Sequence, residues 1–362
     1  MFKKIFFLLI FSWLVGCSST PEIVRDEDIE KIHFADENAE MIFKRAKDFY
    51  EKRQFKIAEI GYQKAATKGM VQAQNDLGLM YYEGTGVTQD FAKAMKWFRK
   101  AAEQRFAPAQ YNLARMYHTG NSGTTDLAQA EQWYRKAAMQ DDAKALYQLG
   151  IISYNNNGLN QDFAQAEQLF QKSAAKGYPK ALYQLGKMYH KGDAVNRDIE
   201  KAKQWYRKAA AKGDTEAQYH LGLMSYKGKD VPQNFSQAEK WFRQAAKLDY
   251  APAQSGLGQL YYEGKGVSQH FGEATFWSRK AAEQGLSDAQ NNLGMMYYKG
   301  HGVPQDFILA YQWVSLAAAQ GNQKAIKGRD FLVRKLSVEQ VAKGEGLVQE
   351  WIKTHPDIKM DL

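Results

Sequence analysis

A Leu-Gly pair returns every 36 residues along most of this chain: Leu77-Gly78, Leu149-Gly150, Leu185-Gly186, Leu221-Gly222, Leu257-Gly258 and Leu293-Gly294, with Leu113-Ala114 on the remaining rung. A fixed period of this length argues against one globular core. It predicts stacked units, each burying its apolar face only against its neighbours.

Each period reads as two helices. In the unit beginning near Met70, Ala73, Leu77 and Tyr81 stand four apart on one face. Gly78 is expected to let another backbone approach closely. The helix is expected to stop at Gly84, with Gly86 two residues on, because glycine accepts the positive φ of a C-cap and tight turn. The second helix is announced by an N-cap residue, Asp90, Asp126, Asp162, Asp198, Asn234 and Asp306, with His270 the one departure. Its apolar face is Phe91, Ala94, Trp97, Phe98 and Ala101. A tryptophan column (Trp97, Trp133, Trp205, Trp241, Trp277, Trp313, with Leu169 once) and a small pair (Ala101-Ala102 and its counterparts) are expected to form the core between helices.

The consensus, A-x-x-x-L-G-x-x-Y-x-x-G-x-G-V and then D-x-x-x-A-x-x-W-x-x-x-A-A, resembles the Sel1-like repeat (SLR) family, a relative of the tetratricopeptide repeat. The resemblance runs from about Ala39 to Gly321. It implies an all-α fold, a right-handed superhelical α/α solenoid of stacked antiparallel helix pairs, with the first helix of each pair on the concave side. It also implies an interaction scaffold.

The chain divides into residues 1–17, 18–38, 39–69, 70–321 and 322–362. Lys3 and Lys4 precede an apolar run from Ile5 to Val15, shorter than the roughly 20 residues that span a bilayer. The run ends in Leu14-Val15-Gly16-Cys17, which resembles a bacterial lipobox, and Cys17 is the sole cysteine. That resemblance implies cleavage before Cys17, lipid on its sulfur and, with Ser18 following, sorting to the outer membrane. Residues 18–38 read as a tether. Residues 39–69 lack the glycine loop and read as a tetratricopeptide-like first unit. Residues 70–321 hold seven 36-residue units. Residues 322–362 read as capping helices with a polar outer face, the last introduced by a Ser337–Gln340 capping box.

No catalytic, cofactor or metal constellation is legible. His118 and His190 lie two repeats apart, and no His-Glu-x-x-His occurs. Ser173-Ala174-Ala175-Lys176 matches S-x-x-K, but the companion S-D-N and K-T-G elements of serine β-lactamases are missing. The net charge of +9 is carried partly by Arg-Lys pairs (Arg99-Lys100, Arg135-Lys136, Arg207-Lys208, Arg279-Lys280) on the second helices. Glu131 and Glu239 stand four residues before Arg135 and Arg243, so these pairs read as a solvated face rather than an anion stripe. Nucleic acid is not expected for an exported chain.

The candidate site lies on the first helices. A helical wheel turns two columns away from the Ala73-Leu77-Tyr81 face. They hold Tyr111 with His118, Tyr147 with Tyr154, Tyr183 with His190, and Tyr219 with Tyr226, and Arg115 and Lys187 lie between them. Rigid aromatics beside a few cations suit a protein or peptide partner in the concave groove; packing of the rings between adjacent first helices is the other reading. Two functions follow: a non-catalytic, lipid-anchored envelope scaffold, or a protein that binds or modifies peptidoglycan or β-lactams.

Overall fold

The computed structural model describes residues 34, 37–121, 123–155, 162–193 and 196–358. The residues expected to form the signal, the lipobox-like run with Cys17 and most of the expected tether lie outside these. The described residues form helices without strands: α1 (Ala39–Glu51), α2 (Phe55–Thr67), α3 (Val71–Glu83), α4 (Phe91–Glu103), α5 (Ala107–Thr119), α6 (Leu127–Ala138), α7 (Ala143–Asn155), α8 (Phe163–Ala175), α9 (Pro179–Lys191), α10 (Ile199–Ala211), α11 (Thr215–Lys227), α12 (Phe235–Lys247), α13 (Ala251–Glu263), α14 (Phe271–Glu283), α15 (Ser287–Lys299), α16 (Phe307–Ala319), α17 (Gln323–Lys335) and α18 (Val338–Thr354). Consecutive helices pack in pairs, and the fold is the all-α solenoid expected. Two compact units are distinguished, residues 1–145 and 146–362.

Side chains start the second helices as expected. Asp90, Asp126, Asp162, Asp198 and Asn234 each accept a hydrogen bond from the backbone N–H three residues on, at 2.8–2.9 Å. His270 is no departure: its Nδ1 accepts from Glu273 N at 3.0 Å, so an imidazole performs the same capping. The capping box of α18 is present in both directions, Gln340 N to Ser337 Oγ at 3.2 Å and Ser337 N to Gln340 Oε1 at 3.0 Å.

The Leu-Gly glycines work differently from expectation. A ring, not a backbone, fills the space that the missing Cβ leaves. A Cβ on Gly78 would stand 2.7 Å from Phe98, on Gly150 2.6 Å from Phe170, and on Gly186 or Gly222 2.5 Å from Tyr206 or Phe242. Close backbone approach occurs only where that ring is replaced by a small side chain. At Gly258 and Gly294 the carbonyls of Ala274 and Ala310 lie 3.2 and 3.0 Å from the Cβ position, beside Ser278 and Val314. The deepest column is therefore the one after tryptophan: Phe98, Tyr134, Phe170, Tyr206 and Phe242 are at most 1% exposed. Trp97, Trp277 and Trp313 are buried, whereas Trp133, Trp205 and Trp241 are half-buried. The ammonium groups of Lys100, Lys136 and Lys208 lie 4.6, 3.7 and 4.3 Å over the rings of Trp97, Trp133 and Trp205.

A buried amide ladder supplements the apolar core. Gln74, Gln110, Gln254 and Gln290 each donate to an alanine carbonyl at the end of the preceding second helix, at 3.1–3.4 Å. Each also accepts from the glutamine closing its own second helix: Gln104, Gln140, Gln284 and Gln320, at 2.8–2.9 Å. Both partners change together in the repeats where buried Leu146 and Leu182 face Lys176 and Lys212 in register. The mismatch is at 218. Gln218 donates to Ala210 O at 3.3 Å, but Leu248 stands where the closing glutamine belongs, and Gln218 Oε1 is buried without a partner among the described residues. Leu248 is 56% exposed, so Leu248→Gln loses little burial. Chemical denaturation should show it about 1–2 kcal/mol more stable than the parent, by satisfying that acceptor. No gain would mean that the ladder is neutral.

At the C-terminal end, α18 lies against α16, with Gly344 under the Tyr311 ring and Trp351 6.4 Å from Trp313. This covers α16 so fully that every residue from Ala310 to Ala319 is buried. The cap is less polar than expected: Phe331 and Val333 on α17 are 45% and 44% exposed.

Candidate functional site

The two aromatic columns do not point into solvent. Tyr183 is 6% exposed, and Tyr111, Tyr147 and Tyr219 are half-buried. Each meets the deep ring of its own second helix: Tyr111 with Tyr134 at 5.8 Å, Tyr147 with Phe170 at 5.9 Å, Tyr183 with Tyr206 at 5.8 Å, Tyr219 with Phe242 at 5.6 Å. The orientation drawn from the wheel is corrected, because one helix's wheel ignores how far a neighbour's ring reaches through the glycine notch.

The second column staples each repeat to the next. The Tyr154 hydroxyl donates to Asp193, and His190 Nε2 pairs with Asp230 at 2.8 Å, on a carboxylate that Arg197 also holds. Tyr226 donates to Glu263 at 3.4 Å. His118 sits 6.2 Å from the Tyr134 ring. Burial pushes the Tyr154 hydroxyl up to about 12, and its bond to the Asp193 carboxylate adds to the shift. Arg115 stacks 4.2 Å over Tyr82, and its Nε and one Nη are buried without partners among the described residues. Lys187 lies 5.6 Å over Tyr183, and burial holds its ammonium below the ordinary lysine range. Three arginines of the second helices are engaged as well: Arg99 donates to the Tyr117 hydroxyl at 2.7 Å, and Arg243 and Arg279 donate to Tyr261 and Tyr297.

The open groove lies where the ring column stops. In the unit of residues 146–362, Ser255 and Gly256 occupy the positions of tyrosine and its neighbour, and the space that they leave is a groove of about 680 Å³. That is the size of a typical ligand cleft. Tyr219, Leu223 and Tyr226 of α11 form one wall, Ser255, Gln259 and Tyr262 of α13 the floor, and Asn291, Asn292 and Met295 of α15 the other wall. Lys299, Lys324, Glu263 and Asp288 stand among the lining residues.

Among the described residues the side chains of Ser255, Asn291 and Asn292 bond to no other group of the chain, although all three are half-buried. Their counterparts in the first unit do pair, Asn112 Nδ2 donating to Asn75 Oδ1 at 2.9 Å. Asp288 is held by Asn322 at 2.9 Å, and Lys299 donates to Tyr262 at 3.1 Å. Burial raises the Tyr219 hydroxyl, helped by the Asp288 charge. Glu263 is partly buried, yet hydrogen bonds from Gln259 and Lys265 and the charge of Lys265 keep its carboxyl below the usual range.

Of the residues singled out in the sequence, the groove takes in Tyr219 and Tyr226. Tyr111, Arg115, His118, Tyr147, Tyr154, Tyr183, Lys187 and His190 lie outside its lining. Ser255, Asn291 and Asn292, which line the groove, are not among the residues that the sequence singles out. The loss of bulk at 255–256 is the signal that marks the groove.

Ser173 of the S-x-x-K match is fully buried. Among the described residues no group of His, Cys, Asp and Glu side chains is arranged to hold a metal ion. No described helix is long and apolar enough to cross a membrane.

The Sel1 repeat profile matches seven consecutive segments, 71–106, 107–142, 143–178, 179–214, 215–250, 251–286 and 287–322. Among solved structures, a Sel1 repeat protein from Oxalobacter formigenes is 31% identical over 84% of this chain and 89% of its own, with a TM-score of 0.64. A protective antigen of uropathogenic Escherichia coli strains, displaying an SLR fold, is 30% identical over 88% and 85% of the two chains, with a TM-score of 0.40. A search of curated protein sequences finds no significant match. Seven matched repeats over more than half of the chain, on the helix pairs described, settle the family: the protein belongs to the Sel1 repeat family.

Proposed function

We propose that the protein is a non-catalytic scaffold that takes an extended peptide segment of a protein partner into the α11–α13–α15 groove, while lipid on Cys17 holds it at the cell envelope, in the outer membrane. The observation that carries the binding reading is the set of half-buried, unpaired side chains, Ser255, Asn291 and Asn292, on the walls and floor of a groove of about 680 Å³. An extended peptide offers an alternating row of amide donors and acceptors, which asparagine amides match with both a donor and an acceptor each. Tyr219, Tyr226 and Tyr262 supply rigid apolar surface beside them, with cations and carboxylates near the rim. Ser173 has no exposed surface from which to attack a substrate, so the S-x-x-K match lends no support to the β-lactam reading.

Asn291→Ala with Asn292→Ala should weaken capture of envelope partners by photo-crosslinking about tenfold or more, since each lost bond is worth about 1 kcal/mol. Helical content should be unchanged. Capture that survives this double variant, and fails instead in Tyr147→Ala with Tyr183→Ala, would move the site to the central repeats. For the anchor, mass spectrometry of the mature N-terminus should find a lipid-modified Cys17; an unmodified one would remove the membrane arm of the reading.

A further inference from the structure

A third column, of tyrosines Tyr81, Tyr117, Tyr189, Tyr261 and Tyr297, is interrupted by Ser153 and Ser225. The tyrosine hydroxyls and rings are met from three fixed registers. Twenty-two residues earlier, Glu59 and Glu167 accept from Tyr81 and Tyr189 at 3.0 and 2.8 Å. Eighteen residues earlier, Arg99, Arg243 and Arg279 donate to Tyr117, Tyr261 and Tyr297. Twelve residues later, Lys93 and Lys201 lie 5.1 and 5.4 Å over Tyr81 and Tyr189 (93 − 81 and 201 − 189 both give 12).

Counting the same offsets from Ser225 gives Lys203, Arg207 and Gln237, and all three line one cavity of about 260 Å³. Its apolar walls include Met224, Val231, Pro232 and Trp241. Ser225 does not fill the space, because its hydroxyl turns back to Leu221 O at 2.9 Å. At the other serine the gap is bridged, Ser153 donating to Gln165 at 2.8 Å. Lys203 is held by Glu200 at 3.0 Å, and Arg207 has no hydrogen-bond or salt-bridge partner among the described residues.

We propose that this cavity binds a phenolic ring, with Arg207 donating to the phenol oxygen as Arg99 does to the chain's own Tyr117. The volume is ample, since a cavity of about 150 Å³ admits benzene. Trp241 and the Met224–Val231–Pro232 wall provide the apolar contact that a ring needs, and the guanidinium selects a ring that bears oxygen. A free para-substituted phenol and a tyrosine side chain on another molecule share this chemistry. The site is separate from the groove of α11, α13 and α15 and independent of the function proposed for it.

The test is a titration of the full chain with p-cresol and with toluene, followed by ligand-observed NMR and thermal melting. Saturable p-cresol binding is expected, with toluene about tenfold weaker for want of the charged hydrogen bond. Ser225→Tyr should raise Tm and abolish p-cresol binding. Arg207→Met, at an exposed position, should keep the fold and lose the preference for p-cresol over toluene. Tyr117→Ser, which frees Arg99, should add a second site. A Gly-Gly-Tyr-Gly-Gly peptide that competes with p-cresol assigns the site to tyrosine side chains; p-cresol binding without competition assigns it to free phenols. Equal binding of p-cresol and toluene, or p-cresol binding that persists in Ser225→Tyr, would overturn the proposal.

Discussion

Gly302→Ala is expected to cost roughly 2–5 kcal/mol of stability, although it adds one methyl group to a surface loop. Gly302 has φ +74°, a conformation that an L side chain adopts at a cost of roughly 1–2 kcal/mol. Its added Cβ would also fall well inside van der Waals distance of the Phe271 carbonyl and 2.7 Å from Thr275 Oγ1. Neither can retreat easily. Phe271 opens α14 behind its His270 cap, and Thr275 donates to His301 O at 3.0 Å, clipping the loop to the helix. Gly321→Ala is the control: φ is +77°, but nothing lies within 4 Å of the added Cβ. Urea denaturation should therefore show about 1 kcal/mol for Gly321→Ala and at least twice that for Gly302→Ala. Equal costs would mean that the second glycine of the loop is there for its backbone alone. A Cβ on Gly266 would meet the backbone of Phe235 and one on Gly86 the Cβ of Phe55, so a crowded second glycine recurs in these glycine loops.

The fold was legible because periodic features repeat their evidence. Six rungs of Leu-Gly, one of Leu-Ala and six good capping residues fix the helix pairs without reference to any contact. What the periodicity did not reveal is which ring goes where. Trp97 and Phe98 are adjacent on one apolar face, and only the notch above Gly78 decides that the phenylalanine goes deepest. The glutamine ladder was hidden for a different reason. A polar side chain at a buried position reads as surface until its partner is known, and the partner of Gln74 is Gln104, 30 residues away. The orientation of the candidate tyrosines was less legible. A wheel orients Tyr147 and Tyr183 by their own helices alone, whereas Phe170 and Tyr206 reach through the notch to meet them.

The openings arise where a repeat breaks its own rule. Ser255 and Gly256 interrupt one column and leave the groove; Ser225 interrupts another and leaves the cavity beside Arg207. The Leu248 substitution orphans Gln218 in the same repeat as Ser225. A repeat scaffold has six other copies with which to specify the fold, so a deviation in one copy costs locally and can be given over to recognition. In the sequence both openings are marked by lost bulk within a column rather than by gained chemistry.

His220 is the last such deviation, and it makes stability depend on pH. It occupies the register of Gln148 and Gln184 and stacks on Tyr206 at 5.6 Å and 10° between planes, with Tyr183 at 5.4 Å. Burial among these rings, then the charges of His190, Lys187 and Lys227, depress its imidazole to about 4. The unfolded chain takes up the proton below about 6.5, whereas the folded chain refuses it until about 4. The contribution to stability is therefore complete above pH 6.5 and is lost as pH falls toward 4. The gap corresponds to about 3 kcal/mol at 1.36 kcal/mol per unit. Asp76 and Asp214, whose carboxyls burial raises, titrate with the opposite sign, so the wild-type profile alone does not isolate the histidine. His220→Gln does, since it restores the side chain of the neighbouring repeats and removes only the titrating group. The difference in unfolding free energy between variant and parent should grow in the variant's favour by about 3 kcal/mol from pH 7.5 to pH 4. A difference that stays flat across that range would show that the imidazole is protonated as readily in the fold as outside it.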